Sequence, residues 1–183
     1  MEGQTLLDSV SMKSAKTYFT LAQALQQPDS VYKLDLSRKK LKVVPEEILR
    51  FPHLQLLKLS NNNIKEVPNW IGRIKTLQHL EISNNKLKAI PDSIGQLENL
   101  IFLGLNRNLI ERLPHEIGLL KNLEVLEMWD NELATIPEEM KNLHNLKVFE
   151  LRGILFSESA QRQISNLMPD TQIYFSPSCN CGN

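Results

Sequence analysis

The sequence contains little cysteine and no long apolar segment. Its only two cysteines, Cys179 and Cys181, lie close to the C-terminus. Many secreted domains hold their ends with disulfides, whereas this chain has no cysteine outside that short tail, which favours a reducing compartment or ends that manage without a disulfide. No apolar run approaches the roughly 20 residues needed to span a bilayer, and no signal-peptide h-region begins the chain. We therefore predict a cytoplasmic protein that does not insert into membranes.

The chain also lacks an excess of charge of either sign. It has 21 basic and 21 acidic side chains, giving a formal net charge of +0. Binding to nucleic acids or to anionic membranes depends on positive charge, and the total charge gives no reason to expect either. We predict that the partners include no nucleic acid.

Catalytic and metal-binding motifs are missing as well. The chain has no Gly-rich phosphate loop, and its histidines lack metal-ligand spacing. We interpret His79 beside Glu81 as a solvated pair, and Cys179 with Cys181 as a mobile reduced tail rather than half of a metal site. The prediction is that the protein is not an enzyme and uses no metal or cofactor.

What the sequence does contain is a repeat of 23 residues. Its units begin at Val31, Leu54, Leu77, Leu100, Leu123 and Leu146. A constant period of roughly 20–29 residues indicates a solenoid. Apolar residues at the first, fourth and sixth positions alternate with variable ones, as a half-buried strand requires.

Two further positions of the repeat carry a structural meaning. The ninth position is asparagine in four units, where a buried amide can bond to backbone groups of neighbouring coils: Asn62, Asn85, Asn108 and Asn131. The first five units then have a proline that can open a short helical turn: Pro45, Pro68, Pro91, Pro114 and Pro137. We expect Trp70, in one such turn, to pack on a neighbouring coil.

From Val31 to about Gly153 these features resemble the leucine-rich repeat family, in the form LxxLxLxxNxLxxLPxxIGxLxN. This form occurs in Ras-suppressor-like intracellular proteins and in bacterial repeat proteins. Lys39 and Ile154 replace the asparagine in the first and sixth units, which marks the ends of the array. The resemblance implies an α/β fold, a right-handed horseshoe-shaped solenoid with a parallel concave sheet and short 3₁₀ or helical turns on the convex side. It implies protein ligands in general but identifies no particular binding residue.

The ends of the array need caps, because a solenoid exposes its core there. Residues 1–30 predict a capping helix that starts at Asp8 or Ser11, with an apolar face of Ala15, Tyr18, Phe19, Ala22 and Leu25. An amphipathic helix that binds a partner is the alternative. Residues 154–183 predict a helix beginning at Ser157, a last strand and a tail. We expect one domain, with residues 1–30 and 154–183 capping six repeats in residues 31–153.

Candidate binding residues lie between the strand leucines and point away from the core. In the first half, Asp35, Lys58 and Glu81 alternate in sign and predict a self-satisfied ladder. In the second half, apolar side chains meet on a surface that should face water, with Gly104 beside them leaving a dent: Phe102, Val125, Trp129 and Val148. Glu127 and Glu150 lie side by side, an arrangement that suits a cation.

We therefore predict a monomeric, non-catalytic protein-binding module that uses the concave sheet. Phe102, Val125, Trp129 and Val148 would be its apolar anchors, whereas Glu127, Glu150 and Asp130 would select a basic group on the partner protein. In the alternative, the surface satisfies itself: Arg152 stacks on Trp129 and screens Glu150, and Arg107 pairs with Asp130. The domain would then be a self-associating scaffold or a spacer. An enzyme or effector that uses the repeat for targeting is the third hypothesis.

Overall fold

A single parallel sheet organises the computed structural model, which describes residues 6–177. Each strand is hydrogen-bonded to the next in chain order, and neighbouring strands within the array are in register at intervals of 23 residues. The sheet is open and uncurled. Its eight strands are β1 (Thr17–Tyr18), β2 (Lys33–Asp35), β3 (Leu56–Lys58), β4 (His79–Glu81), β5 (Phe102–Gly104), β6 (Val125–Glu127), β7 (Val148–Leu151) and β8 (Gln172–Phe175).

A 3₁₀ turn follows each of the strands β2 to β6 and returns the chain toward the next strand. Each turn has proline at its N-cap, where a missing N–H costs nothing and the fixed φ helps to start the turn. The turns run over Glu46–Arg50, Asn69–Arg73, Asp92–Gln96, His115–Leu119 and Glu138–Asn142. The repeat solenoid expected from the 23-residue period is thus confirmed.

The core lies between the sheet and the turns. The middle residue of each repeat strand is fully buried: Leu34, Leu57, Leu80, Leu103, Leu126 and Phe149. Isoleucine or methionine from each 3₁₀ turn packs opposite them, and Trp70 is partly buried against the same core as expected. Each coil buries its apolar side chains against its neighbours, which supply the stability that one coil lacks.

The asparagine ladder inside the solenoid is confirmed. Asn108 donates through Nδ2 to the carbonyl of Ile82 in the preceding coil at 3.0 Å and to that of Leu105 in its own coil at 2.9 Å. Its Oδ1 accepts from the amide of Leu87 at 3.1 Å. Asn62, Asn85 and Asn131 repeat this pattern one coil apart.

A feature that the sequence did not predict is a left-handed residue at the eighth position of every unit. Positive φ angles between 53° and 79° occur at Arg38, Asn61, Asn84, Arg107, Asp130 and Gly153. The strand alternation ends there, because a left-handed residue turns the chain away from the sheet. Side chains at this position therefore point where simple alternation does not place them.

The prediction of one continuous N-terminal helix was wrong. Helix α1 (Ser9–Ser14) does have Asp8 as its N-cap, but β1 and the short helix α2 (Leu21–Ala24) follow, and then a 3₁₀ turn at Pro28–Ser30. Tyr18 is buried and pairs with Leu34, whereas Phe19 is 56% exposed. The run Thr17-Tyr18-Phe19-Thr20 is β-branched or aromatic throughout, and pairing with the edge of β2 overrides its helical spacing.

The C-terminal cap matches its prediction. Helix α3 (Glu158–Leu167) starts after Ser157, whose hydroxyl accepts from the amide of Ala160 at 3.2 Å. Strand β8 adds to β7 in parallel register. Ile164 is buried, and Phe156 meets Phe175 edge-on with centroids 6.4 Å apart. The tail with Cys179 and Cys181 lies outside the described residues.

Candidate functional site

Three of the predicted apolar anchors lie side by side on the outward face of the sheet. Phe102 on β5 is in register with Val125 on β6, and Val125 with Val148 on β7. All three are half-buried, while the leucine or phenylalanine after each is fully buried. Trp129, also half-buried, lies just beyond the end of β6. The alternation of the strand therefore brings these residues to one surface.

The predicted dent at Gly104 is filled by the ring of Phe102. A Cβ atom at Gly104 would lie 3.0 Å from Cε1 of Phe102, so the ring leans along its own strand and needs glycine there. The other side of the ring stacks on His79, with centroids 6.0 Å apart. The apolar surface thus extends one strand further than predicted, and the solvated pair of His79 with Glu81 does not form.

The half-buried position of His79 affects its titration. Burial lowers the pKa of His79, and the charge of Lys58 lowers it further, whereas Glu81 opposes both. Glu81 instead makes an ion pair with Lys58 at 2.8 Å. A neutral imidazole at neutral pH suits a ring that stacks on phenylalanine.

Trp129 is covered by Arg107 and not by Arg152. The guanidinium carbon of Arg107 lies 4.4 Å from the centroid of the indole, within the range of a cation–π contact. Nε of Arg107 also lies 3.6 Å from Oδ2 of Asp130, as predicted for that pair. The stacking of Arg152 on Trp129 was a wrong prediction, because the left-handed backbone at Arg107 directs that side chain onto the indole of the next coil.

Arg152 instead binds Glu150. Its Nε and one terminal nitrogen donate to the two carboxylate oxygens at 2.8 and 2.6 Å. Burial raises the pKa of Glu150, but the hydrogen bonds from Arg152 outweigh it and leave that pKa below its usual value. The guanidinium carbon also lies 5.6 Å from the ring centroid of Tyr174.

Tyr174 belongs to this surface, although it was not among the predicted binding residues. It is 38% exposed and pairs with Glu150 across β7 and β8. The alternation of residues 172–175 in the predicted last strand, extended from the repeat register, would have placed it there. Together, Phe102, Val125, Val148, Trp129 and Tyr174 form what we call the C-terminal patch.

Glu127 lies inside the C-terminal patch. Its Oε2 accepts a 2.7 Å hydrogen bond from the Asn106 amide, whose Oδ1 accepts from the backbone N–H of Trp129. Unlike Glu150 and Asp130, Glu127 makes no ion pair with another residue between positions 6 and 177. Asn106, a neutral residue that sequence reasoning passed over, thus holds a half-buried carboxylate beside apolar side chains.

The N-terminal half of the same face is partly covered by α1. Nζ of Lys33 donates to the carbonyls of Met12 and Lys13 at the end of that helix, at 2.8 and 3.2 Å. A recess of about 500 Å³ remains beneath it, bordered by Leu56, His79 and Ile101. Of the predicted charge ladder, Lys58 pairs with Glu81, but Asp35 does not join them. Its carboxylate accepts from the backbone amide of Ser37 instead.

Over the described part of the chain, no three His, Cys, Asp or Glu side chains are grouped so as to hold a metal ion. Nor does any helix in residues 6–177 have the length and apolar character to cross a membrane.

Comparison with known proteins agrees with the repeat architecture. A family model described as a leucine-rich repeat region matches residues 19–169. A leucine-rich repeat protein of Leptospira interrogans is 32% identical with a TM-score of 0.73, over 89% of this chain and 47% of its own. Internalin C2 of Listeria monocytogenes is 21% identical with a TM-score of 0.69, over 88% of this chain and 68% of its own.

A third similar structure is the ectodomain of a plant membrane receptor kinase from Arabidopsis thaliana. It is 28% identical with a TM-score of 0.63, over 79% of this chain but 18% of its own. The chain thus spans about half of the Leptospira protein and a smaller part of the plant protein. No curated protein matches it. The strand register, the asparagine ladder and the family match together show that the chain belongs to the leucine-rich repeat family.

Proposed function

We propose that the chain is a non-catalytic module that binds a protein partner through the C-terminal patch on the outward face of its sheet. One observation carries the proposal: Phe102, Val125 and Val148 lie in register on adjacent strands, and all three are half-exposed. Contiguous apolar surface of this kind marks interaction sites. The plant ectodomain is solved in complex with Casparian strip integrity factor 2, so a similar structure binds a ligand, which supports a binding role in general.

The acidic residues of the patch have two different roles. Arg152 and Arg107 already bind Glu150 and Asp130, so those acids help to fix the arginines and the rings beneath them. Within residues 6–177, Glu127 has only the neutral Asn106 as its partner, and it is the carboxylate that would receive a lysine or arginine of the bound protein. The expected ligand thus places an apolar side chain on Phe102, Val125 and Val148 and a cation on Glu127.

The test is capture of a partner from the native host by the purified protein and two double variants. Trp129→Ala with Phe102→Ser should abolish capture, since loss of a central aromatic anchor costs about 2 kcal/mol or more, or roughly 30-fold in affinity. Ser37→Ala with Ser83→Ala, on the same face, is the control and should capture the partner normally. Equal capture by both variants, each shown to be folded by circular dichroism, would move the site elsewhere.

Glu127→Gln tests the charged part of the proposal. Glutamine keeps an oxygen that can accept from Asn106, so the fold and the position of Trp129 should persist. Binding of the captured partner should weaken and become less sensitive to salt, because an ion pair is lost. Unchanged salt dependence would remove Glu127 from the site.

A self-associating scaffold is the second candidate, favoured by the same exposed apolar surface. Sedimentation velocity at rising concentration separates the two, because a self-complementary patch predicts dimers that Trp129→Ala abolishes. The cytoplasmic location remains a prediction, supported by the lack of cysteine before the tail that holds Cys179 and Cys181.

A further inference from the structure

The zero net charge of the chain conceals a marked asymmetry among the loops between strand and 3₁₀ turn. In the first three units these loops carry one acidic residue, Glu66, and seven basic ones: Arg38, Lys39, Lys40, Lys42, Lys65, Lys86 and Lys88. The corresponding loops of the fourth and fifth units carry Arg107 and Arg112 against three acids, Glu111, Asp130 and Glu132. One edge of the solenoid is therefore basic in its N-terminal half only.

These basic side chains are not used by the fold. All seven are exposed, and none makes an ion pair within residues 6–177. Lys42, Lys65 and Lys88 hold the same position of three successive coils, so about 4.8 Å separates neighbouring coils along the row. Like charges so arranged repel each other, and a bound anion would relieve that repulsion.

A groove runs beside this row. It has a volume of about 660 Å³ and is bordered by Lys65, Lys86 and Lys88. Its other walls are mainly apolar and come from three successive coils: Val67, Pro68, Ile90, Pro91 and Leu109. Glu66 and Asn69 also line it, so three lysines face a single carboxylate. Val67 and Ile90 are buried, whereas Leu109 is 39% exposed. The groove thus combines an apolar base with exposed cations at its border.

We propose that this groove binds an extended acidic segment of a protein, in which acidic and apolar residues alternate. Alternate side chains of an extended segment point to opposite sides, about 6.6–6.8 Å apart on each side. Carboxylates on one side reach the lysines while apolar side chains enter the groove, so about four or five residues cover the three coils. This site lies on the loop edge and is separate from the C-terminal patch.

The composition of the groove favours a protein segment over other polyanions. No residue that borders it is aromatic, whereas single-stranded nucleic acids are bound by stacking on aromatic rings. None is arginine, whose planar guanidinium suits phosphates best. A flat bilayer surface would meet the lysines but leave the apolar recess unfilled.

The test measures binding of a fluorescein-labelled peptide of alternating glutamate and valine to the whole chain by fluorescence anisotropy. We expect saturable binding that weakens with salt. A matched peptide with glutamine in place of glutamate should bind at least about tenfold more weakly. Phosphatidylcholine vesicles with phosphatidylserine, and an oligouridylate, are the competing probes.

Two triple variants with the same change in net charge make the test specific. Lys65→Glu, Lys86→Glu and Lys88→Glu should weaken binding of the glutamate peptide at least about tenfold. Arg50→Glu, Arg73→Glu and Lys141→Glu, all on the 3₁₀ turns, should leave it unchanged. Leu109→Ser should weaken binding without altering its salt dependence. Trp129→Ala should have no effect.

Three results would overturn the proposal. The first is equal peptide binding by the two triple variants, each shown to be folded. The second is binding of the vesicles or the oligouridylate while the peptide fails to bind. The third is the absence of binding to every probe.

Discussion

Single residues decide which surface groups remain available for a partner. Asn106, Arg107 and Arg152 each bind a neighbouring side chain in the C-terminal patch, and they leave Glu127 with no cation. The sequence places Phe102, Val125 and Val148 on one face as the structure has them, because strand alternation is a property of the backbone. The sequence assigns the wrong arginine to Trp129. Arg107, and not Arg152, covers the indole, because the left-handed backbone at Arg107 turns its side chain in a direction that strand alternation does not predict.

Replacing Arg152 tests one of these contacts through its pH dependence. Arg152→Ala leaves the buried Glu150 carboxylate without its partner, and we expect it to lower the free energy of unfolding by about 1–3 kcal/mol at pH 7. The folded-state pKa of Glu150 is depressed, so its contribution is present above the unfolded pKa and lost as pH falls through the folded value. Urea unfolding at pH 7 and near pH 3 should show the difference between wild type and variant shrinking in acid. A constant difference would contradict the charge-based account.

The asparagine ladder gives a second prediction at this scale. Asn108→Ala removes hydrogen bonds to Ile82, Leu105 and Leu87 in the interior and should cost about 2–4 kcal/mol in the free energy of unfolding. Asn99 is the control, since its single bond to the carbonyl of Lys75 is exposed to solvent. Asn99→Ala should cost less than about 1 kcal/mol, as measured by urea unfolding. Equal costs would mean that the interior amides contribute no more than surface ones.

At the scale of elements, the 3₁₀ turns from Asn69–Arg73 to Glu138–Asn142 pack closely, and glycine lies where each of them meets the next: Gly72, Gly95 and Gly118. A Cβ atom at Gly95 would run into the carbonyl oxygen of Glu116 in the next coil and lie 2.9 Å from its Cβ. The sequence showed this glycine only as part of the period. It did not show why, since the reason is the approach of a backbone 21 residues away along the chain.

Gly95→Ala should therefore lower the free energy of unfolding by about 1–3 kcal/mol, because two backbones must separate. Lys141 holds the equivalent position in the fifth unit, is exposed, and is followed by a coil without a 3₁₀ turn. Lys141→Ala is thus the matched control and should change stability by less than about 0.5 kcal/mol. Thermal unfolding of both variants checks the prediction. A Gly95→Ala variant as stable as the wild type would refute the packing explanation.

In the caps, some segments form the structure that their own residues favour, and one forms the structure that its neighbour imposes. Ser157 and Asp8 start helices as their residue types predict. The segment around Tyr18 has helical apolar spacing, yet it forms a strand because the edge of β2 offers unpaired backbone groups. Edge pairing of this kind cannot be read from periodicity alone.

At the scale of the whole molecule, the two proposed surfaces occupy opposite halves of the array. The basic loops belong to the first three units, whereas the C-terminal patch draws on the fourth to sixth units and β8. Both surfaces are built on the same repeat, but they use different side chains. The 23-residue period predicted the stack of repeats, while the groove emerged only when lysines of separate coils were placed side by side.

Because every coil bonds to the next in the same register, the length of the solenoid depends on the number of coils and changes by one strand spacing for each coil. Inserting a second copy of residues 77–99 after Asn99 should lengthen the sheet by one strand and move the C-terminal patch about 4.8 Å further from the first coil. Circular dichroism should show a folded protein, and the urea m-value should rise by about one coil's share of buried area. An unchanged m-value would mean that the extra coil stays unfolded. The distance between the two proposed binding sites would therefore change in steps of one strand spacing, set by the number of repeats between them.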